Sequence, residues 1–222
     1  MKLSSRKVLT SAIVALIIIL AATSILEYDQ LHSTNQIRIA CVGDSITQST
    51  QYPLDLWDSL GSNYMVGDFG IGGAAVAQST GMGYLHLSGL EVAKRFQPNI
   101  VIIMLGTNDA YTTLNETDSA FIADYVTLVG EFQAIGSKPA IWLVEPPPIY
   151  DNTVRLSNDI LVHKVIPNIQ QVASQTHLRL IDSYSPLVNH PELFLDGVHP
   201  SADGARVIAQ IIYSTLVSKE NS

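Results

Sequence analysis

A serine that directly follows an apolar segment could act as a nucleophile. Ser45 ends the motif Gly43-Asp44-Ser45, which comes after a buried strand predicted at Ile37–Val42. At a strand-to-helix turn, a serine exposes its hydroxyl and its backbone N–H together, and the helix N-terminus favours negative charge that develops nearby. A serine in such a turn is more often only a helix N-cap, so this motif needs partners before it indicates catalysis. Ile46 also departs from the Gly-x-Ser-x-Gly pattern of a nucleophile elbow.

An aspartate and a histidine near the C-terminus are spaced to serve that serine. In Asp196-Gly197-Val198-His199-Pro200, the two side chains stand three residues apart, and Gly197 permits the tight turn that lets them meet. A histidine that removes a proton from serine needs a carboxylate to hold its other ring nitrogen. Taken alone, the motif could also be a surface turn rich in aspartate and glycine.

Two more motifs offer hydrogen-bond donors to an oxyanion. Gly106-Thr107-Asn108-Asp109 places an asparagine amide after a predicted strand, and Gly70–Gly73 exposes backbone N–H groups. Each motif could also be an ordinary turn, because asparagine, aspartate and glycine tolerate turn conformations. A nucleotide-binding loop is disfavoured at Gly70–Gly73, since its spacing departs from Gly-x-Gly-x-x-Gly.

The elements that position these motifs predict an α/β fold. Short runs rich in Val, Ile and Leu show little alternation, as expected of strands buried on both faces. Because helical segments alternate with them, we expect a three-layer α/β/α architecture around a five-stranded parallel sheet, with ligands at the carboxyl ends of the strands. The predicted strands are Ile37–Val42, Tyr64–Phe69, Ile100–Leu105, Ala140–Val144 and Leu178–Ile181, and the predicted helices are Pro53–Leu60, Ser119–Ile135, Asn158–Gln175 and Ala202–Val217. Pro167 predicts a kink or a late start in the third helix, and Ser201 is the predicted N-cap of the last.

Together and in this order, the motifs resemble the SGNH or GDSL hydrolases. The resemblance spans Ile37 to about Val217 and implies the flavodoxin-like α/β/α fold of that family. Two positions depart from the family pattern, since Ile46 stands in place of leucine and Asp68 in place of an asparagine that mostly braces its turn. The matching blocks are Gly43-Asp44-Ser45, the oxyanion glycine at Gly73, Gly106-Thr107-Asn108-Asp109, and Asp196 with His199.

The resemblance implies a role for each matched residue. Ser45 would attack an ester carbonyl, His199 would carry the proton to the leaving alcohol, and Asp196 would hold the imidazole. The backbone N–H groups of Ser45 and Gly73 and the amide of Asn108 would stabilise the oxyanion, with Gly72 as the alternative to Gly73. No metal ion and no other cofactor is implied. Four neighbouring residues are predicted to contact the substrate: Asp44, Gly72, Asp109 and Val198.

The substrate is less constrained than the reaction, because function belongs to the site and not to the fold. The segment from His190 to Pro200 resembles bacterial members similar to sialate and xylan O-acetylesterases, so an acetylated glycan or another small ester is the expected substrate. Hydrolysis of longer acyl chains, as in a lysophospholipase or thioesterase, is the second interpretation. A non-catalytic glycan-binding module is the third, although Ser45, Asn108 and His199 are all retained.

The charge and the N-terminal segment limit the partners and the location. The formal net charge of −8 disfavours nucleic acid, because phosphates would be repelled. Cys41 is the only cysteine, so an internal disulfide is excluded, and its place in an apolar strand predicts a core residue. Residues 1–7 include three basic residues and no acidic one, and residues 8–26 form an uncharged apolar run. This pattern predicts a cleaved signal peptide or a membrane anchor. We therefore expect an extracytoplasmic domain at 37–222, joined through a linker at 27–36.

Overall fold

The computed structural model describes residues 13–15, 18–20, 23–24 and 36–218. The chain divides into two units, residues 1–36 and residues 37–222. Most of the predicted signal or anchor segment at 8–26 lies outside the described residues, except for three short helical stretches. The predicted linker at 27–36 also lies outside them, except for Gln36. Within the described part of the chain, no helix has the length and apolar character needed to cross a membrane.

The second unit is built on one parallel sheet, in which five strands lie in the order β2-β1-β3-β4-β5. The three inner strands, β1, β3 and β4, are rich in Val, Ile and Leu because helices cover both faces of the sheet. The predicted three-layer α/β/α fold is confirmed. The strands are β1 (Ile37–Gly43), β2 (Tyr64–Gly70), β3 (Ile100–Met104), β4 (Ala140–Val144) and β5 (Arg179–Ile181).

In the described part of the second unit, six α-helices of five or more residues connect or follow these strands, and the ranges of two of them were not predicted from the sequence. Both are short, and neither shows enough turns of helical spacing to be recognised in isolation. The unpredicted helices are α1 (Ser45–Ser49) and α3 (Ser88–Arg95), and the others are α2 (Tyr52–Leu60), α4 (Asp118–Gln133), α5 (Ile166–Thr176) and α6 (Ala202–Val217).

Pro167 determines how α5 begins. A helical turn at Asn158–Ile160 passes into a wider π-helical segment at Leu161–Val165, and α5 starts directly after it. Proline has no N–H to donate to the preceding turn, so it is accommodated best near a helix start. The predicted helix therefore begins at Asn158, and only its long regular α-helical part starts late, at Ile166. The predicted N-cap of α6 is also present, because Ser201 accepts a hydrogen bond from Gly204 N–H.

Each face of the sheet carries its own hydrophobic core, since successive residues of a strand point to opposite faces. Ile103 of β3 belongs to the core beneath α3, α4 and α5, whereas Ile102 belongs to the core beneath α2 and α6. Cys41 lies fully buried in the second core, as predicted, and burial raises the pKa of its thiol to about 12. A thiol in this state is inert as a nucleophile.

The strand order creates a crevice beside the carboxyl end of β1. Strand β1 lies between β2 and β3, so the loops that follow these three strands leave the same edge of the sheet side by side. In open parallel sheets, ligands bind where the order of the strands reverses in this way. The segments after β1, β2 and β3 contain Ser45, Gly73 and Asn108, respectively.

Candidate active site

Ser45, His199 and Asp196 form one chain of hydrogen bonds. His199 Nε2 lies 2.8 Å from Ser45 Oγ, and His199 Nδ1 lies 2.7 Å from Asp196 Oδ2. Ser45 is separated from His199 by 154 positions, so the fold itself brings them together. With Asp196 accepting from Nδ1–H, the lone pair of Nε2 faces the serine hydroxyl. This is the arrangement that activates a serine nucleophile.

The turn from Asp196 to His199 is held by the aspartate itself. Its Oδ1 accepts hydrogen bonds from the backbone N–H groups of Val198, at 3.0 Å, and His199, at 2.8 Å. Gly197 has a φ of +83°, and a Cβ there would stand 2.0 Å from the backbone oxygen of Asp151. Any other residue would therefore force apart the contact between the turn and the loop that follows β4.

The electrostatics of the turn keep Asp196 ionised. Partial burial acts to raise the pKa of Asp196, but the hydrogen bonds from the backbone and ring of His199 outweigh it and lower this pKa to about 2. A carboxylate that stays ionised across the neutral and mildly acidic range stabilises an imidazolium as it forms. Asp196 is therefore suited to support a proton transfer through His199.

The turn that carries Ser45 is shaped by Asp44. Its Oδ1 accepts a hydrogen bond of 2.8 Å from Ile46 N–H and caps α1. The side chain is only 1% exposed, and this burial raises the pKa of Asp44 to about 6 although the bond from Ile46 opposes the shift. Asp44 was predicted to contact the substrate. Its burial contradicts this, because the carboxylate fixes the turn and does not reach the crevice.

Gly73 and Asn108 line the same cavity beside the Ser45 turn, and its volume is about 340 Å³. Gly72 N–H donates to Gln48 Oε1 at 2.7 Å, whereas no described residue accepts a hydrogen bond from Gly73 N–H. Gly73 has a φ of +77°, which presents its backbone in a conformation that other residues rarely adopt. The geometry therefore favours Gly73 over Gly72 as the backbone donor.

One of the two amide protons of Asn108 is already used in a hydrogen bond within the protein. Its Nδ2 donates to the carbonyl oxygen of Ala74 at 2.9 Å, which connects the segment after β3 to the loop after β2. An amide nitrogen carries two protons, so the second is available to an oxyanion. The bond to Ala74 also fixes the amide before substrate arrives, which is what electrostatic stabilisation of a transition state requires.

Asp109 and Val198 were also predicted to contact the substrate, and both are buried. Asp109 is 5% exposed, and its two oxygens accept hydrogen bonds from Ala77 N–H at 2.8 Å and Val76 N–H at 2.9 Å. Burial raises the pKa of Asp109 to about 6, against the effect of these two bonds. Val198 is 3% exposed and packs in a hydrophobic core. Both residues support the site from behind, so their placement contradicts the predicted contact.

Some residues near the site were not identified from the sequence. Gln48 supports the glycine loop from the next turn of α1, and Met82 and Leu114 line the cavity that holds Gly73 and Asn108. No motif marks these positions, because each depends on where a distant loop passes. Among the described residues, no group of three or more His, Cys, Asp or Glu side chains is arranged to hold a metal ion.

Replacing Asn108 by alanine is expected to lower kcat by roughly 10²- to 10³-fold, the usual cost of one oxyanion donor. The Michaelis constant should change much less, because the bond strengthens only in the transition state. The matched control is Asn99→Ala. Asn99 accepts a hydrogen bond of 2.8 Å from Arg38 N–H at the opposite end of β3, so its loss should affect stability and not turnover. Steady-state kinetics in which both variants retain the original kcat would assign Asn108 to turn structure alone.

The chain is similar in sequence to a curated protein. The chain is 27% identical over 206 residues to an acetylxylan esterase from Xylanibacter ruminicola, an alignment that covers 81% of this chain and 43% of the relative. The chain therefore spans less than half the length of that relative.

Solved structures share the fold. The aryl esterase of M. smegmatis has a TM-score of 0.63 and 18% identity, covering 82% of this chain and 98% of that one. Est24, a carbohydrate acetylesterase from Sinorhizobium meliloti, has a TM-score of 0.65 and 17% identity, covering 82% and 99%. The model of the GDSL-like lipase/acylhydrolase family matches residues 41–207, a range that includes Ser45, Asn108 and His199, and the chain belongs to this family.

Proposed function

We propose that this protein is a serine ester hydrolase that removes acetyl groups from carbohydrates. The observation that carries the proposal is the continuous chain of hydrogen bonds from Ser45 Oγ through His199 to Asp196, with distances of 2.8 Å and 2.7 Å. This arrangement supplies a nucleophile, a base and an orienting carboxylate, which together are sufficient for acyl transfer to serine.

In the first half of the reaction, Ser45 Oγ attacks the ester carbonyl while its proton passes to His199 Nε2. The carbonyl oxygen becomes an oxyanion, which the N–H groups of Ser45 and Gly73 and the amide of Asn108 stabilise. When the bond to the leaving oxygen breaks, His199 gives its proton to that oxygen. The products of this half are the free alcohol and an acyl group esterified to Ser45.

In the second half, a water molecule replaces the alcohol. His199 removes a proton from the water as its oxygen attacks the acyl carbon, and the same donors stabilise the second oxyanion. Collapse of the intermediate returns the proton to Ser45 Oγ and releases the carboxylic acid. Asp196 remains ionised in both halves, because its pKa lies near 2, and it stabilises the imidazolium each time.

Two comparisons support an acetylated carbohydrate as the substrate. The curated relative is an acetylxylan esterase, and Est24 is a carbohydrate acetylesterase. Longer acyl chains are the second candidate, and one observation favours them. The cavity beside Asn108 holds about 340 Å³ and includes Met82 and Leu114, which gives it more apolar space than an acetyl group fills. Thr80 and Thr113 interrupt this lining, so it does not form a continuous apolar trough.

A series of p-nitrophenyl esters distinguishes the two candidates. We expect kcat/KM to be higher for the acetyl ester than for the octanoyl and decanoyl esters, measured below the concentrations at which the esters form micelles. Each buried methylene adds roughly 0.8 kcal/mol of binding, so a pocket for long chains would give a steep rise in kcat/KM with chain length. A monotonic rise from acetyl to decanoyl would replace the deacetylase proposal by the long-chain one.

We also propose that the hydrolase domain acts outside the cytoplasm. The support is the basic start at residues 1–7 followed by the uncharged apolar run at 8–26. Cell fractionation of the full chain, with its mass measured in each fraction, tests this location. Intact protein found only in the cytoplasmic fraction would disprove it.

A further inference from the structure

A second cavity lies next to the proposed site and has no part in the mechanism above. Its volume is about 400 Å³. One wall is the segment 48–51, which begins three residues after Ser45, and another is the segment 200–202, which directly follows His199. Val66 and Asp68 of the edge strand β2 also line the cavity. We call this space the edge cavity.

The edge cavity is on the side where the alcohol must leave. In the tetrahedral intermediate, the oxyanion points to Gly73 and Asn108, which line the other cavity. The leaving oxygen must instead approach His199 Nε2, because that nitrogen returns the proton. Pro200 and Ser201 extend from His199 into the wall of the edge cavity. An alcohol bound there would lie against the segment that directly follows His199.

The lining of the edge cavity is suited to a neutral molecule rich in hydroxyl groups. Gln48 and Gln51 contribute amides and Ser201 a hydroxyl, which can donate to and accept from hydroxyls, and Asp68 contributes a carboxylate, which accepts from them. None of the residues that line the cavity is Lys, Arg or His, so nothing there would attract a phosphate or a carboxylate.

Two exposed leucines give the edge cavity an apolar rim. Leu54 is 61% exposed and Leu195 is 76% exposed, although both lie within reach of the crevice. A sugar ring has this same combination of properties, with hydroxyls at its edge and C–H groups on its faces. An acyl tail would fit less well, because burial beside polar groups that it cannot satisfy is costly.

We propose that the edge cavity binds the sugar residue that carries the acetyl group, and so selects carbohydrate acetates by their alcohol part. This inference rests on the proposed esterase function and extends it from the acyl group to the leaving group. Gln48 also holds Gly72 of the oxyanion loop, at 2.7 Å, so its substitution would disturb catalysis as well. Within the described part of the chain, Gln51 and Leu54 make no hydrogen bond to the proposed catalytic residues, so they are the better positions to change.

The test compares two acetates that share the acyl group and differ in the alcohol. One is a monoacetylated methyl glycoside, and the other is cyclohexyl acetate, whose ring is of similar size and has no other oxygen. We expect Gln51→Ala and Leu54→Ala each to lower kcat/KM for the glycoside by roughly fivefold, mainly through KM, as fits the loss of one hydrogen bond or apolar contact. Hydrolysis of cyclohexyl acetate should change less than twofold in Gln51→Ala, because that variant removes a partner for hydroxyls that cyclohexyl acetate lacks. In Leu54→Ala it should fall about as much as hydrolysis of the glycoside, because both rings offer C–H groups to the leucine.

The matched control is Gln133→Ala. Gln133 is an exposed glutamine at the end of α4, away from the edge cavity, and its loss should leave both substrates unaffected. Unchanged glycoside kinetics in both edge-cavity variants, or equal losses on the two acetates in Gln51→Ala, would overturn the inference. So would a change in the ratio of octanoyl to acetyl hydrolysis without a change in glycoside preference, since the cavity would then hold the acyl chain. If the unaltered protein hydrolyses no ester at all, the proposed function fails first, and the inference fails with it.

Discussion

Replacing Ser45 by alanine is expected to lower kcat for p-nitrophenyl acetate by on the order of 10⁵- to 10⁶-fold, because no other group can form the acyl-enzyme. A small residual rate should remain, since the proposed oxyanion donors Gly73 and Asn108 are untouched. The fold should be unaffected. The hydroxyl of Ser45 bonds to His199 Nε2, whereas α1 is capped by Asp44. Thermal unfolding and kinetics of the same preparation test both parts of the prediction.

The matched control for this variant is Ser88→Ala. Ser88 is also the first residue of a helix, α3, and it is exposed to solvent. Its replacement should leave kcat unchanged. A fluorophosphonate probe should label the original protein and Ser88→Ala on Ser45, and should not label Ser45→Ala. Stoichiometric labelling of Ser45→Ala at another serine would show that the nucleophile has been wrongly assigned.

The centre of the sheet could be predicted from the sequence because its inner strands are buried on both faces. A run such as Ile100–Leu105 has too few polar residues to be anything but interior, and the observed β3 ends only one residue earlier. The strand at the far edge, β5, has three residues, and its predicted start at Leu178 was one residue early. Strand ends depend on where the ladder of hydrogen bonds stops, which hydropathy does not determine.

The chain of Ser45, His199 and Asp196 was predictable for a different reason. Asp196 and His199 meet within one turn, so their contact is local and depends on Gly197. Only the contact between His199 and Ser45 depends on the tertiary structure. It could be predicted from the rule that ligands lie at the carboxyl ends of parallel strands.

The supporting residues could not be predicted, because their partners are distant in sequence. Asp109 bonds to Val76 and Ala77, which precede it by 33 and 32 positions, and this requires the loop after β2 to fold back over the end of β3. Its sequence neighbour Asn108 has an accessible amide. Adjacent polar residues in one motif therefore have opposite environments, and the periodicity of a loop does not indicate which of them is buried.

The same reasoning explains the choice between Gly72 and Gly73. The sequence offers two glycines with equivalent backbones, and either could donate to an oxyanion. The choice depends on Gln48, which lies 24 positions away and whose side chain accepts a hydrogen bond from Gly72 N–H. A glutamine one turn into a helix has no distinguishing pattern, so its function is visible only when α1 and the glycine loop are placed side by side.

Replacing Asp196 by asparagine is expected to lower kcat by on the order of 10⁴-fold, with little change in the fold. Oδ1 of Asp196 accepts from two backbone N–H groups, those of Val198 and His199, so the oxygen of the asparagine must occupy that position. Its NH₂ group then faces His199 Nδ1. An NH₂ group is a donor, and Nδ1 must become the acceptor, which moves the ring proton to Nε2. His199 would then present a proton to Ser45 Oγ and could not remove one.

The size of this effect separates the orienting role of Asp196 from a general loss of charge. Asp182→Asn is the matched control, because Asp182 Oδ1 also accepts a backbone hydrogen bond, from Ser185 N–H at 2.8 Å, in an exposed turn. That variant should retain nearly full kcat. Asp196→Asn should also react with a fluorophosphonate far more slowly than the original protein, since the attack on phosphorus needs the same base. A variant that keeps rapid labelling and full turnover would show that His199 holds its tautomer without Asp196, and that the carboxylate serves only to shape the turn.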